Sequence, residues 1–222
     1  MDRLKPSRFS ERYYVLTALR NHLERIIETH LPPRAGAVVV DFGCGDMPYR
    51  PLFVRHRARY VGVDLPENTS ADLHASLDDI LPLADEIVDV VLSTQVLEHV
   101  PDPRAYLKEA LRILRPGGLV ILSTHGYWMY HPHPSDFWRW TGPGLRKIIA
   151  DAGFRLVECR GIMGLAATGV HLLQDGVLIR FPRLMRPLIA PFSQGLIALA
   201  DKISSDTDRE NDASVFVVVA RK

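Results

Sequence analysis

Glycines and carboxylates at the ends of two apolar runs could hold a nucleotide-like ligand. The run AVVVDFGCG at 37–45 ends in a glycine-rich turn, and RYVGVD at 59–64 ends in Asp64. Gly43 and Gly45 let the backbone approach a ligand closely, and an aspartate can accept hydrogen bonds from both hydroxyls of a ribose. With Asp41, these residues predict a site for a cofactor that contains adenosine.

The glycine turn also bears on the kind of cofactor. A dinucleotide site needs a third glycine so that a helix N-terminus can approach a pyrophosphate, but the turn is GCGDMP, with Pro48 in that place. The chain also lacks an obvious Tyr-Lys pair or catalytic cysteine. A ligand without a pyrophosphate is therefore favoured, and a nicotinamide-dependent oxidoreductase is the weaker alternative.

A second group of reactive side chains lies in the segment STHGYWMYHPHPSDFWRWT, residues 123–141. A histidine at this place could accept the proton of an attacking hydroxyl, and we take His133 as the first candidate base and His125 as the second. The side chains expected to line a substrate site are Tyr127, His131, Asp136 and Arg139.

Several residues of this segment also have a purely structural interpretation. Arg139 can pair with Asp136, and Trp138 and Trp140 can serve packing alone. His131, His133 and Asp136 contain metal-ligand atoms, but an HxH pattern on a proline-rich loop is common without a metal. No metal site is expected.

The elements that must position these residues follow from hydrophobic periodicity. A helix with apolar residues at helical spacing is predicted over 9–30, ended by a proline pair, and a second over 101–114. Thr141 is predicted to cap a further helix that Gly153 closes, and residues 201–212 are predicted to form a polar loop. Short apolar runs predict strands at 37–45, 59–64, 71–76, 88–94, 118–124, 154–161 and 214–221.

This order predicts an α/β fold: a doubly wound, mostly parallel, seven-stranded Rossmann-like sheet with an antiparallel last strand. The 222 residues are expected to form one domain. Its parts are an N-terminal helical cap at 1–35, a cofactor-binding core at 36–161, an apolar helical insertion at 162–203 and the last strand at 213–222.

Composition narrows the functional classes. A formal net charge of +1 gives no overall field to attract a nucleic acid. Two cysteines, Cys44 and Cys159, neither staple a secreted fold nor make a zinc site, and the N-terminus lacks the apolar run of a secretory signal. The apolar stretches are too short to span a bilayer. A cytoplasmic protein is expected.

Four motifs in register resemble the class I S-adenosylmethionine-dependent methyltransferases: VVVDFGCG, YVGVD, VDVVLSTQVLEHVPDP and YLKEALRILRPGGLVILSTHG. The LEHV and RPGG signatures are similar to those of the subgroup that modifies small molecules, sugars or lipids. The resemblance covers about residues 36–160 and the last strand. It implies S-adenosylmethionine as the cofactor and methyl transfer, at oxygen if a histidine base is used. A cofactor-binding scaffold without catalysis is the alternative.

The resemblance also implies roles for individual residues. Asp41, Gly43 and Gly45 would line the methionine end of the cofactor and Asp64 would bind the ribose. Leu65 would pack on the adenine, Leu77 and Asp78 would contact its edge, with Asp79 as an alternative to Asp78, and Thr94 and Gln95 would flank the sulfonium. Glu98 and His99 come next, either as a helix cap that shapes the pocket or with His99 in a catalytic role.

The insertion at 162–203 contains more apolar side chains than the core should need. The N-terminal helix or a second subunit could cover them. A membrane surface is the other interpretation, because Arg180, Arg183 and Arg186 interrupt the apolar run as cationic anchors do on interfacial helices. A lipid-linked acceptor would follow from that second interpretation.

Overall fold

The structure is a computed structural model that describes residues 2–32, 35–76, 79–182 and 184–222. Seven strands form one sheet in the order β3-β2-β1-β4-β5-β7-β6. The strands are β1 (Val38–Phe42), β2 (Arg59–Asp64), β3 (Leu73–His74), β4 (Val88–Thr94), β5 (Leu114–His125), β6 (Arg155–Ile162) and β7 (Val215–Arg221).

The direction of the strands confirms the predicted fold class. β1 pairs in parallel with β2 and β4, and β4 pairs in parallel with β5. β7 is inserted between β5 and β6 and is antiparallel to both. The chain order reverses between β1 and β4, so the crevice at the carboxyl ends of these strands is where such sheets bind ligands.

Helices cover both faces of the sheet because side chains alternate along each strand. Val39 and Val90 face one side and join a core with Leu19 and Leu23 of the first helix. Val40 faces the other side and packs with the helices that follow β4 and precede β6. The helices are α1 (Tyr13–His30), α2 (Arg50–Val54), α3 (Pro103–Ile113), α4 (Gly142–Asp151), α5 (Leu165–Leu178), α6 (Arg186–Ala200) and α7 (Asp206–Asn211).

Capping side chains fix where two of these helices begin. Asp102 accepts hydrogen bonds from the backbone amides of Arg104 and Ala105 at the start of α3. The predicted cap at Thr141 is confirmed, since its side chain accepts from Gly144 N at the start of α4. These two starts hold the ends of the loops that run from β4 and β5.

Three elements of the structure differ from the sequence prediction. β5 begins at Leu114 and includes the RPGG turn residues, because Leu114 already pairs with Val88 before a register shift in β4. β3 is only two residues long. The prediction of a polar loop over 201–212 was wrong: Ser205 and Asp208 form a capping box that starts α7, a local signal that the polar composition concealed.

The predicted insertion forms two antiparallel helices, α5 and α6, which begin after β6 has ended at Ile162. α1 packs on one face of the sheet and contacts α6, and the residues just before α1 hydrogen-bond to both helices of the pair. Within the described parts of the chain, no helix is both long and apolar enough to cross a membrane.

Candidate functional site

A cavity of about 540 Å³ opens at the carboxyl edge of β1, β2, β4 and β5. One side is lined by the glycine turn after β1 and by Asp64 and Leu65 after β2. The other is lined by His99, His125 and most residues of the segment 128–134. The structure therefore brings the two groups of residues predicted from the sequence together around one space.

Asp64 holds the turn that follows β1. Its Oδ2 accepts hydrogen bonds from Gly45 N at 2.6 Å and from Asn68 Nδ2 at 2.8 Å, and its Oδ1 accepts from Leu65 N at 2.8 Å. A carboxylate offers about four acceptor positions, so Oδ1 keeps room for a further donor. A second hydroxyl would have to displace Asn68, a residue that no pattern in the sequence had singled out.

The glycine turn is shaped for a ligand. Gly43 has φ +84° and Gly45 has φ +53°, a region that disfavours side chains. A Cβ on Gly43 would lie 2.5 Å from Val96 Cγ2, whereas a Cβ on Gly45 would meet no atom within 4 Å. Gly43 therefore packs against the protein, and Gly45 faces open space where a bound group would lie.

This difference predicts distinct effects of two alanine substitutions. Gly43→Ala is expected to destabilise the fold by about 2 kcal/mol or more, because it adds a clash to an unfavourable φ. Gly45→Ala should cost about 1 kcal/mol of stability but weaken cofactor binding about tenfold or more. Denaturant unfolding and calorimetry with S-adenosylmethionine separate the two. Equal losses of stability would contradict the assignment of Gly45 to the ligand cradle.

Asp41 lies beneath this turn, 1% exposed and outside the cavity lining. Its Oδ2 accepts a hydrogen bond from the Tyr60 hydroxyl, and its Oδ1 has no hydrogen-bond partner among the described residues. Burial raises the pKa of Asp41 to about 7, although the Tyr60 hydrogen bond acts in the opposite direction. The Asp41 carboxyl group therefore passes between its protonated and ionised forms near neutral pH in the cofactor-free protein.

The raised pKa predicts how stability depends on pH. The folded state binds this proton more tightly than the unfolded chain, so Asp41 stabilises the fold fully below about pH 4. That contribution, on the order of 4 kcal/mol, is lost as pH rises through about 7. Asp41→Asn should therefore flatten the decline in unfolding free energy between pH 4 and 8. Asp46→Asn, on the exposed surface, should not, and parallel curves for wild type and Asp41→Asn would refute the prediction.

The remaining cofactor residues predicted from the sequence lie at strand ends. Thr94 is the last residue of β4. Gln95 follows with φ +58°, and its backbone N–H donates a hydrogen bond to Ser123 O at 2.8 Å. Both line the cavity, as does Leu65. Leu77 and Asp78 lie outside the described residues. Asp79, the alternative to Asp78, is described and does not line the cavity.

A buried carboxylate and histidine pair forms the inner wall of the cavity. His125 Nδ1 lies 2.9 Å from Glu98 Oε1, and the two side chains are 2% and 0% exposed. Thr124 Oγ1 donates to Glu98 Oε2 at 2.8 Å. Burial alone would raise the pKa of Glu98, but the neighbouring His125 and hydrogen bonds such as that from Thr124 lower it. Glu98 is thus an anion directed at His125 Nδ1, and it is not the cap of the short 3-10 helix at 97–99, whose N-cap is Val96.

Three more histidines belong to the same cluster as His125. The ring of His131 lies 5.0 Å from those of His99 and His125 and 5.5 Å from that of His133, measured between centroids. Burial and the two neighbouring histidines lower the pKa of His131 to about 4, so it is neutral at physiological pH. His99 Nδ1 contacts Ser135 O, and His133 is exposed at the cavity mouth.

The ranges 2–32, 35–76, 79–182 and 184–222 contain no cluster of three or more His, Cys, Asp or Glu that could hold a metal ion.

Trp128 connects this cluster to the N-terminal segment and the insertion. Its ring stacks on His125 with centroids 4.4 Å apart and lies 4.7 Å from the ring of His171 in α5. Arg12 lies over the other side, 5.0 Å from the Trp128 centroid, and pairs with Asp175 at 2.6 Å. The two contacts of Arg12 join residues more than 100 positions apart, so no local pattern could have revealed them.

Arg12 also contacts His171 of α5. Its Nη1 lies 2.5 Å from His171 Nε2, which must act as the acceptor because a guanidinium only donates. Burial lowers the pKa of His171, and although Asp175 acts in the opposite direction, the nearby charge of Arg12 lowers it further, to about 4. Arg3 lines the cavity as well. Residues from the N-terminal stretch 3–19 thus form one wall of the site, whereas the sequence pattern had indicated only a helical cap there.

Other residues of the predicted substrate wall hold its loop. Asp136 accepts from His131 N at 2.8 Å and pairs with Arg139 at 2.5 Å, as the structural alternative had it. Tyr127 points its hydroxyl to Asp212, at 2.9 Å. None of Asp136, Arg139 or Tyr127 lines the cavity. Trp138 Nε1 donates to Val100 O at 2.8 Å, which anchors the loop beside Glu98.

Comparisons with known proteins agree with this geometry. A family model described as a methyltransferase domain matches residues 12–158. A probable S-adenosylmethionine-dependent methyltransferase of Mycolicibacterium smegmatis is 27% identical over 188 residues, which cover 78% of this chain and 73% of that protein. A ubiquinone biosynthesis O-methyltransferase of Parvibaculum lavamentivorans is 31% identical over 155 residues, 55% of this chain and 60% of the relative. Matches to several mycobacterial methyltransferases span only 38–40% of those proteins.

Solved structures support the fold. An S-adenosylmethionine-dependent methyltransferase from Mesorhizobium loti superposes with a TM-score of 0.58 at 18% identity, over 89% of this chain and 96% of that one. At this identity the likeness concerns the fold. The family model matches well over half of the chain, and a family match of this kind does not support the oxidoreductase alternative. The chain therefore belongs to this methyltransferase family, whose cofactor is S-adenosylmethionine.

Proposed function

We propose that this protein transfers the methyl group of S-adenosylmethionine to an oxygen of a small-molecule, sugar or lipid-linked acceptor. The observation that carries the proposal is the Glu98–His125 pair on the inner wall of the cavity. A base oriented by a buried anion is what a hydroxyl acceptor needs, whereas a carboxylate or a neutral amine can react without one. The O-methyltransferase name of the Parvibaculum relative agrees with this choice.

The cofactor-facing side of the cavity suits S-adenosylmethionine. Asp64 has a free acceptor position for a ribose hydroxyl, and the open space at Gly45 accommodates the methionine end. Leu65 would pack on the adenine, and Thr94 and Gln95 would lie beside the sulfonium. Asp41 would act from beneath the turn. When bound, the cofactor supplies a methyl group activated by the positive sulfur.

His125 is the base in this proposal, ahead of His133. Its Nδ1 faces Glu98, which leaves Nε2 as the nitrogen that can take the proton of the acceptor hydroxyl. Loss of that proton would free the acceptor oxygen to take the methyl group that the bound cofactor would supply, with the former carbon–sulfur pair left on the sulfur. Glu98 stabilises the imidazolium that results. Neutral His131 lines the acceptor side, and His99 holds the loop through Ser135.

Water must be kept from the reacting atoms because methyl transfer depends mainly on alignment at close distance in a dry site. Trp128 stacks on one face of the His125 ring, and Arg12 lies over Trp128, so both help to enclose the base. We place the reaction in the cytoplasm, consistent with two free cysteines. A nucleic acid is not a favoured acceptor at a net charge of +1. The proposed methyl transfer does not depend on whether residues 162–203 contact a membrane or a second subunit.

Labelled S-adenosylmethionine tests the proposal directly. The protein is incubated with fractionated cell extract, and labelled products are isolated and treated with mild alkali. A methyl ether survives this treatment, whereas a methyl ester releases its label. An alkali-stable O-methyl product is expected. A product methylated at nitrogen or carbon would overturn the oxygen assignment, and cofactor binding without any product would favour the scaffold alternative.

A further inference from the structure

The pair of helices α5 and α6, here called the apolar hairpin, has its polar face turned inward. The buried residues of α5 include Thr168, His171, Gln174 and Asp175, and α6 buries Gln194. A helix at a protein surface normally buries its apolar stripe and exposes its polar residues. The apolar hairpin therefore has the reverse of the arrangement expected in water.

The fully exposed positions of the two helices are all apolar. Every exposed residue of α5 and α6 is Leu, Val, Phe, Ala, Gly or Pro. Exposure is greatest at and beyond the turn between the helices, reaching 90% at Leu184, 78% at Leu188 and 73% at Phe192. Soluble monomers rarely leave such a continuous apolar surface exposed, so a partner is expected.

The inward polar face binds the N-terminal segment of the protein itself. Gln194 Oε1 accepts from Tyr14 N at 2.7 Å, and the amide nitrogens of Gln174 and Gln194 both donate to Glu11 O, at 3.0 and 2.9 Å. The N-terminal segment therefore covers the polar side of the apolar hairpin. It cannot also cover the apolar side, which removes one of the covers considered from the sequence.

Charge distinguishes between the remaining partners. No Asp or Glu occurs from Gly176 to Ala200, while Arg180 and Arg186 flank the turn and enter no ion pair among the described residues. Arg183 lies outside the described residues. In a symmetric contact between two copies, these arginines would face an identical cationic patch with no acid to pair with, which is unfavourable. An anionic surface with an apolar interior satisfies both features at once.

We propose that the apolar hairpin binds the surface of a membrane that contains anionic lipids, with Leu184, Leu188 and Phe192 inserted and the arginines at the headgroups. Neither helix needs to span the bilayer, since interfacial helices lie in its plane. His171 of α5 lies against Trp128 on the cavity wall, so this contact holds the acceptor side of the cavity close to the membrane. If the proposed function holds, a lipid-linked acceptor is the class that this placement favours.

Vesicle co-sedimentation tests the membrane contact without any methyl transfer. The full chain is mixed with vesicles of phosphatidylcholine alone or with phosphatidylglycerol added. We expect binding to the anionic vesicles that weakens roughly fivefold for each of Arg180→Gln and Arg186→Gln and falls with salt. The triple variant Leu184→Gln/Leu188→Gln/Phe192→Gln should lose binding at any salt concentration.

Matched controls keep the test specific. Ile80→Gln and Val54→Gln replace residues that are 81% and 50% exposed elsewhere, and they should bind vesicles as the wild type does. Calorimetry with S-adenosylmethionine verifies that each variant is folded. Absence of vesicle binding by the wild type would overturn the proposal, as would a dimer in light scattering that the triple variant abolishes. Loss of binding in the controls would also count against it. A failed methyl-transfer assay would leave this result unaffected.

Discussion

Replacement of His125 with alanine is expected to lower the rate of methyl transfer roughly 100-fold or more, while cofactor affinity changes less than about twofold. Among the described residues, His125 is the only histidine that lines the cavity and also faces a buried carboxylate, that of Glu98. Without it, the proton of the acceptor hydroxyl has no positioned base. Single-turnover rates with a confirmed acceptor measure the effect.

Two further variants separate a base from a structural histidine. His133→Ala, at the exposed mouth of the same cavity, should reduce the rate by less than about tenfold. Glu98→Gln keeps the shape of the buried side chain but removes its charge, and we expect an intermediate loss with a shifted pH–rate profile. Thermal unfolding of each variant controls for damage to the core, because Glu98 and His125 are both buried.

The opposite outcomes are equally informative. If His125→Ala retains activity and His133→Ala abolishes it, the exposed histidine is the base. If both variants remain active, the acceptor needs no base, as a carboxylate or neutral amine would not. Restoration of activity in His125→Ala by added imidazole would support the role of His125 as a base, since imidazole supplies the missing group without repairing the fold.

Asp64→Ala is expected to weaken S-adenosylmethionine binding by about 1–3 kcal/mol, or roughly 5- to 150-fold in the dissociation constant. The substitution removes a charged acceptor from the ribose and also frees Gly45 N and Leu65 N, which Asp64 holds at 2.6 and 2.8 Å. Both changes act on the cofactor-free turn and on the bound state. Isothermal titration calorimetry provides the measurement.

Asn68 offers a matched control for this prediction. Its side chain occupies one acceptor position of Asp64 Oδ2, so Asn68→Ala should vacate that position and leave affinity unchanged or improved. Asp64→Asn should fall between wild type and Asp64→Ala, because it keeps an acceptor but loses the charge. Unchanged affinity in Asp64→Ala would refute the assignment of this residue to the cofactor.

The sequence alone determined the sheet and its ligand-binding edge. Buried parallel strands are almost wholly apolar, and the glycine turn at 43–45 and Asp64 follow two of them directly. Local rules of this kind depend on residues close in sequence, so β4 at 88–94 and the cap at Thr141 were predicted correctly. The capping box at Ser205 was within reach of the same rules but was obscured by the polar residues around it.

Only the tertiary structure decided which reactive side chains act together. Glu98 and His125 meet because β4 and β5 are parallel neighbours, so residues 27 positions apart end at the same edge. Arg12 reaches Trp128 and Asp175 because α1 packs beside the insertion, across 116 and 163 positions. The composition of 162–203 showed an excess of apolar residues, but not which face they occupy. That depends on whether Gln174 and Gln194 find partners inside the protein, and burial of a polar group is decided by the hydrogen bonds that the fold supplies.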